Sequence, residues 1–254
     1  MTNTLRVYAL ETKFEFLKQF RRPAYAIATL GIPLMFYAFF GLMSGLHNDG
    51  MSLATYLLAT YGTFGVVGAA LFGFGVSVSM ERGARWLLLK RASPMPPLAY
   101  FVAKIVAATT FAALVVGLLF AMGILFGGVH LAALTWLELG SALVLGALPF
   151  CAIGLALGYL ISPNSAVAII NLINLPMSFM SGLWLPINAL PPAVQHIAPF
   201  LPAYHLGQLA LGTLGAATST QPWYDHVLIL LAFTSAALTV AAFAYRRDEG
   251  ETYG

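Results

Sequence analysis

The sequence predicts an all-α integral membrane protein with six transmembrane helices, and three observations carry that expectation. Of its 254 residues, 60% are hydrophobic and 8% charged, with a mean hydropathy of +0.85; an ordinary soluble domain carries about 25% charged residues. Six apolar stretches lie near 24–46, 53–79, 103–126, 138–161, 166–185 and 223–245, each close to or above the roughly 20 residues a bilayer-crossing helix needs. The basic residues fall in three groups, five from Arg6 to Arg22, five from Arg82 to Lys104, and Arg246 with Arg247; the 141 residues from Ile105 to Tyr245 hold none. No room remains for a large soluble domain, and residues 1–254 read as one transmembrane domain.

The charge pattern sets the expected topology. Lys and Arg favour the cytoplasmic side of a membrane, so both termini and the second connection, residues 80–102, are expected inside, and the first, third and fifth connections outside. The net charge of +3 therefore describes three local patches and not a nucleic-acid-binding face. Trp136, Trp184 and Trp223 fall at expected outer span ends and Trp86 just past an inner one, where amphipathic rings favour the headgroup region. A charged segment of 23 residues precedes the first span, so that span is expected to be retained and not cleaved as a signal. The single cysteine, Cys151, lies in the fourth span and excludes an intrachain disulfide. The expected location is the plasma membrane, the inner membrane in a bacterium.

Taken in order, residues 1–22 come first. Glu11, Glu15, Lys18 and Arg22 recur at helical spacing opposite Val7, Leu10, Phe14 and Leu17, the pattern of an amphipathic helix lying in the membrane interface; an ordinary juxtamembrane anchor is the plainer reading. In the second span Gly65, Ala69 and Gly73 recur every fourth residue, which lets a neighbouring helix approach closely. The second connection, Met80 to Lys104, is 25 residues long, too short for a domain. Residues 84–91 read as a helix stopped by Pro94, Pro96 and Pro97, suited either to docking on a partner or to resting on anionic lipid. In the fifth span Asn171, Asn174, Ser178 and Ser181 share one face, either as glue between helices or as the wall of a polar path. The fifth connection, Pro186 to Pro222, has 37 residues, six prolines and no Lys or Arg, yet stays apolar; two short helices dipping back into the outer leaflet fit it, and a compact external cap is the alternative.

Two of these stretches resemble a known family. Residues 81–104, with Glu81-Arg82-Gly83, Leu88, Arg91, Ser93-Pro94 and Lys104, look like the first cytoplasmic loop of type-two ATP-binding cassette (ABC) transporter permeases. Residues 176–202, with Pro176, Phe179, Ser181-Gly182, Pro186, Pro191, Pro199 and Pro202, resemble that family's fifth span and following re-entrant hairpin. The resemblance implies the membrane permease of an exporter, a homodimer or a heterodimer with a similar permease, working with two cytosolic ATPase subunits. ATP and Mg would then belong to the partner, this chain would carry no cofactor, and the 81–93 helix would be the coupling element. On that reading Trp86, Leu88 and Leu89 give the ATPase apolar contact, Glu81, Arg82 and Arg91 orient it, and Gly83 and Pro94 bound the helix. Ala84-Arg85 stands where the family often has Thr or Gly-Thr, and the Gln208 region stands where a basic residue is common.

The residues support this independently, because no G-x-x-x-x-G-K-[ST] phosphate loop is present and energy must come from another chain. An ion-coupled carrier would place ionisable residues inside its spans, and the acids read as near spans, Glu138 and Asp225, sit at outer ends. An intramembrane enzyme would have to use Ser181 with His196 or His205, without a nucleophile motif or an orienting carboxylate in sequence. The five histidines show no metal-ligand spacing.

Overall fold

A computed structural model of the chain describes residues 2–42, 47–48, 51–86 and 95–253. The expected coupling residues Leu88, Leu89, Arg91 and Pro94 lie outside the described residues, as does most of the helix expected over 84–91. The helices are α1 (Thr2–Phe20), α2 (Pro23–Phe36), α3 (Leu53–Leu71), α4 (Ser77–Gly83), α5 (Pro97–Leu125), α6 (Ala133–Leu145), α7 (Ala147–Leu160), α8 (Ala166–Met180), α9 (Pro192–Ile197), α10 (Pro202–Thr213) and α11 (Trp223–Tyr253). Two π-helical segments extend them, Tyr37–Leu42 after α2 and Phe72–Val76 joining α3 to α4. Among the described residues β pairing is confined to a two-residue antiparallel ladder, His47–Asn48 against Met51–Ser52.

Among the described residues, five helical stretches are long and apolar enough to cross a membrane: Tyr25–Leu42, Leu53–Gly83, Leu98–Leu125, Ala133–Leu160 and Trp223–Arg247. The stretch expected at 166–185 departs from this. Its helix, α8, has 15 residues and at 1.5 Å per residue reaches about 22 Å, short of a hydrocarbon core of about 30 Å. The cause is a glycine stop: Leu183 N–H donates to Ser178 O at 3.1 Å and Gly182 N–H to Phe179 O at 3.1 Å, with Gly182 at φ 73, the paired bonds of a left-handed helix C-cap. The fourth stretch is broken between α6 and α7 at Gly146. Pro149 lacks the N–H that would bond Leu145, and a Cβ on Gly146 would lie 2.2 Å from Leu206 Cδ1.

At the centre stands α3, in which every residue from Ala54 to Leu71 except Gly68 is buried. Its small residues admit neighbours as expected: a Cβ on Gly65 would fall 2.5 Å from Val115 of α5 and 2.9 Å from Pro33 of α2, and in the π-helical segment that follows one on Gly75 would fall 2.4 Å from Ile170 of α8. Residues 186–213 form short helical turns, α9 and α10 among them, each with a proline at its first positions or just before them. Residues 202–208 of α10, with Tyr204, His205, Leu206 and Gln208 among them, are all buried, and the helix packs against α3, α6 and α11. Gln208 clamps the following loop, its Oε1 accepting Thr218 N–H at 2.9 Å and Ser219 N–H at 3.0 Å. A lysine or arginine there could not accept either bond, which accounts for the amide in place of a base.

The three basic groups meet at one end of the bundle. Arg82 donates to Tyr159 O, the Tyr159 ring packs edge-on to Tyr245 at 5.6 Å, one residue before Arg246, and α1 brings Lys18 to Glu81. The face of α1 that holds Glu15 and Gln19 meets protein, both side chains being buried, while Leu10 and Phe14 face outward. At the opposite end Trp184 packs on Phe36 of α2 at 5.4 Å, Phe64 of α3 at 5.7 Å and Phe179 of α8 at 6.0 Å.

Candidate functional site

Two features converge at the basic end: a buried cluster of charges and, beside it, a cavity. Lys104 sits two helical turns into α5 with its side chain 0% exposed, and an ammonium in that position must find acceptors for all three of its protons. It donates to Glu15 Oε1 at 2.7 Å, to Ser77 Oγ at 2.6 Å and to Glu81 Oε1 at 3.1 Å. Tyr100, one turn earlier, donates to Glu81 Oε2 at 2.6 Å, and Lys18 closes the ring on Glu15 Oε2 at 2.8 Å and on Glu81. Two carboxylates and two ammoniums balance. Burial pushes the Glu15 carboxyl upward, but the Lys104 and Lys18 ammoniums outweigh it and hold the group below its usual range. Lys18 is likewise pulled down by burial and raised further by Glu81 and Glu15.

The cluster changes the reading of Glu81-Arg82-Gly83. Glu81 is 6% exposed, with both oxygens bonded inside the chain. Arg82 turns inward too, donating to Tyr159 O and, at 2.9 Å, to Ile161 O. Those are end carbonyls of α7, where a cation is favoured by the helix dipole. Ser79 Oγ donates to the same Ile161 O at 2.7 Å. A Cβ on Gly83 would lie 2.2 Å from Pro163 Cγ, so glycine lets α4 rest on the α7–α8 turn. Arg85 follows at φ 57, a left-handed conformation that costs a non-glycine residue about 1 kcal/mol. Of the expected coupling residues that are described, Trp86 faces outward, 57% exposed.

The cavity, about 720 Å3, lies between α2, α3 with its π-helical continuation, and α8. Asn171 and Asn174 line it from α8; Gln19, Arg21 and Arg22 line its basic end; Pro33, Phe64 and Leu175 are among its apolar walls. The polar face of α8 thus divides. Its asparagines border the cavity, whereas Ser178 is buried and donates to Asn174 Oδ1 at 3.4 Å, and Ser181 Oγ is buried without a hydrogen-bond partner. Pro186, Pro191, Pro199 and Pro202 open the turns beyond. The serine–histidine pairing of a hydrolase is not formed: both ring nitrogens of His205 are engaged, Nδ1 with His226 Nδ1 at 2.8 Å and Nε2 with Pro199 O at 2.9 Å. Among the described residues no group of three or more metal-ligating side chains gathers.

Sequence reasoning missed the cluster as a unit. Glu15 and Lys18 read as a surface stripe, and Lys104 as the end of a loop. Its signal was a lysine seven residues beyond Pro97 in an otherwise apolar helix, since an ionisable residue inside a span requires a partner.

The sequence pattern of the ABC-2 type transporter family matches residues 7–214. The chain belongs to that family. It is also similar to the "Putative transport permease YvfS" of Bacillus subtilis (strain 168), 25% identical over 236 residues that cover 92% of this chain and 95% of the relative. As a transport permease of the ABC-2 type it is a multi-pass membrane protein, and the cluster and cavity lie on helices within the matched region.

Proposed function

We propose that this permease is the membrane subunit of an ABC exporter, paired with a second copy or a similar permease and driven by two cytosolic ATPase subunits that bind ATP and Mg. The basic end faces the cytoplasm, and α8, prolonged by residues 181–185, is the fifth of six spans. The observation that carries this reading is how the segment before the coupling loop is fastened. Through Glu81 it is bonded to α1 and α5, through Arg82 to the end of α7, and through Gly83 it rests on the turn into α8. A push delivered to residues 84–94 would therefore reach four helices at once, where a loosely attached loop would absorb it. Asn171, Asn174, Ser178 and Ser181 then border the translocation path, and the proline-rich segment 186–222 re-enters the outer leaflet.

The test is coupling. Trp86→Ala, Leu88→Ala and Arg91→Glu should each release the ATPase on co-purification or abolish its stimulation in liposomes, since truncating a buried interface anchor typically costs about 2 kcal/mol or more. Full binding and full stimulation in all three would refute the assignment. The buried charges are also what an ion-coupled carrier needs, so transport should persist with ATP in the presence of a protonophore.

A further inference from the structure

The cavity beside α1 is not uniformly lined. Its body is mainly apolar, with Ile32, Pro33, Phe64, Phe72, Val76 and Leu175 and with Asn171 and Asn174 on the α8 side, while Gln19, Arg21 and Arg22 gather where α1 turns into α2. Arg21 and Arg22 are exposed there, and neither has a carboxylate partner among the described residues; Arg22 Nη1 donates only to the weak acceptor Met80 Sδ, at 3.9 Å. The third, Gln19, is 2% exposed. Its amide nitrogen reaches toward Glu15 Oε1 at 3.4 Å, and its Oε1 is buried with no hydrogen-bond donor. A buried acceptor left unpaired costs free energy, and this one belongs to a residue of the cavity wall.

Resting on the exporter reading above, we infer that this cavity is the entry site for its cargo, and that the cargo is an amphiphile with one apolar chain and a phosphate headgroup carrying a hydroxyl or ammonium. The phosphate lies on Arg21 and Arg22, whose planar guanidinium groups suit a phosphate's paired oxygens. The headgroup donor satisfies Gln19 Oε1, and the chain runs between α2 and α8 toward Phe64. The volume matches a ligand of that size, since binding cavities for small molecules span about 300–1,000 Å3. Gln19 lines the cavity and its amide nitrogen faces Glu15, so an occupied headgroup site bears on the charge cluster through one side chain.

Lysophosphatidylglycerol with a diazirine in its acyl chain is the probe, used on the permease–ATPase complex in nanodiscs, with the uncharged monoacylglycerol of the same chain as control. Photolabelling should fall on peptides of α2 and α8. It should drop about tenfold or more in Arg21→Gln/Arg22→Gln, as expected for losing charge-assisted hydrogen bonds, and severalfold in Gln19→Leu. Arg21→Lys/Arg22→Lys, which keeps the charge that orients the chain, should retain most of it. The control lipid should label weakly and equally in all variants. Equal labelling by both lipids, or labelling indifferent to the arginines, overturns the headgroup site, and crosslinks to a second permease copy in place of lipid overturn it by assigning the cavity to a subunit interface. ATP-driven movement of the labelled lipid across vesicles supports its being cargo. Labelling without movement, in a complex whose ATPase still responds to coupling-loop variants, makes the molecule a resident lipid and overturns the cargo assignment. Loss of that response with labelling intact refutes the exporter reading instead.

Discussion

Replacing Lys104 with methionine keeps the length and apolar stem of the side chain and removes only the ammonium. The cluster then holds two carboxylates, Glu15 and Glu81, against one cation, Lys18, and three bonds of 2.6 to 3.1 Å are lost. Breaking a buried ion pair by deleting one partner costs about 3–5 kcal/mol. Lys18 still bridges both acids, so we expect the low end, about 3 kcal/mol, or a fall of about 6–12 °C in unfolding midpoint at 2–4 °C per kcal/mol for a chain of this size. The decisive arm is the double variant Lys104→Met/Glu15→Gln. It restores one acid to one base, so it should melt several degrees above Lys104→Met although it carries a further change in the same cluster. The assay is thermal unfolding of the purified permease in one detergent, followed by tryptophan fluorescence. A double variant no more stable than the single one, or a single variant within 1 °C of the parent, would refute the argument that charge balance holds α1, α4 and α5 together.

Three further outcomes follow from the geometry. Gly146→Ala should lower stability by about 1–3 kcal/mol, the usual cost of overpacking, because the new methyl meets Leu206 Cδ1 at 2.2 Å and Ala142 O at 2.7 Å and a backbone oxygen cannot step aside; an unchanged melt would contradict this packing. His205 and His226 share a single proton between Nδ1 atoms, and burial holds the His205 imidazole below its usual value. The folded chain thus binds fewer protons than the unfolded one, so stability should fall as pH drops through about 6.5, and His226→Asn should flatten that slope. Cysteines at exposed Ala132 and Ala193 should react with an impermeant reagent from outside intact cells and one at exposed Ala84 should not; the reverse pattern would invert the topology.

Much of the architecture was legible because a bilayer imposes coarse rules. Apolar length located five long stretches, and clustered Arg and Lys marked the end where α1, α4 and the last helix converge. In the fifth stretch the helix is shorter than the apolar run, because hydrophobicity continues through Leu183, Trp184 and Leu185 after the backbone has turned at Gly182; the glycine was the readable sign of where the helix stops. The polar face of α8 was legible from spacing alone, since Asn174 and Ser178 fall a turn apart and both are buried. The charge cluster was not. Its members lie up to 89 residues apart, and only tertiary packing reveals that the acid of a seemingly solvated stripe, Glu15, answers a lysine inside an apolar helix.

The π-helical segment Phe72–Val76 gives the second long helix a length of chain held in reserve. A π turn stores about one residue more than an α turn, and each α-helical residue advances about 100°. Tightening that turn would rewind Ser77–Gly83 by about that angle relative to α3, turning Glu81 away from Lys104, Arg82 from the carbonyls of α7, and Gly83 from Pro163 in a single twist. The fastening of Ser77–Gly83 is therefore all-or-none in register: it cannot loosen one bond at a time by rotation, and the wide turn above it is where the slack for such a step is kept.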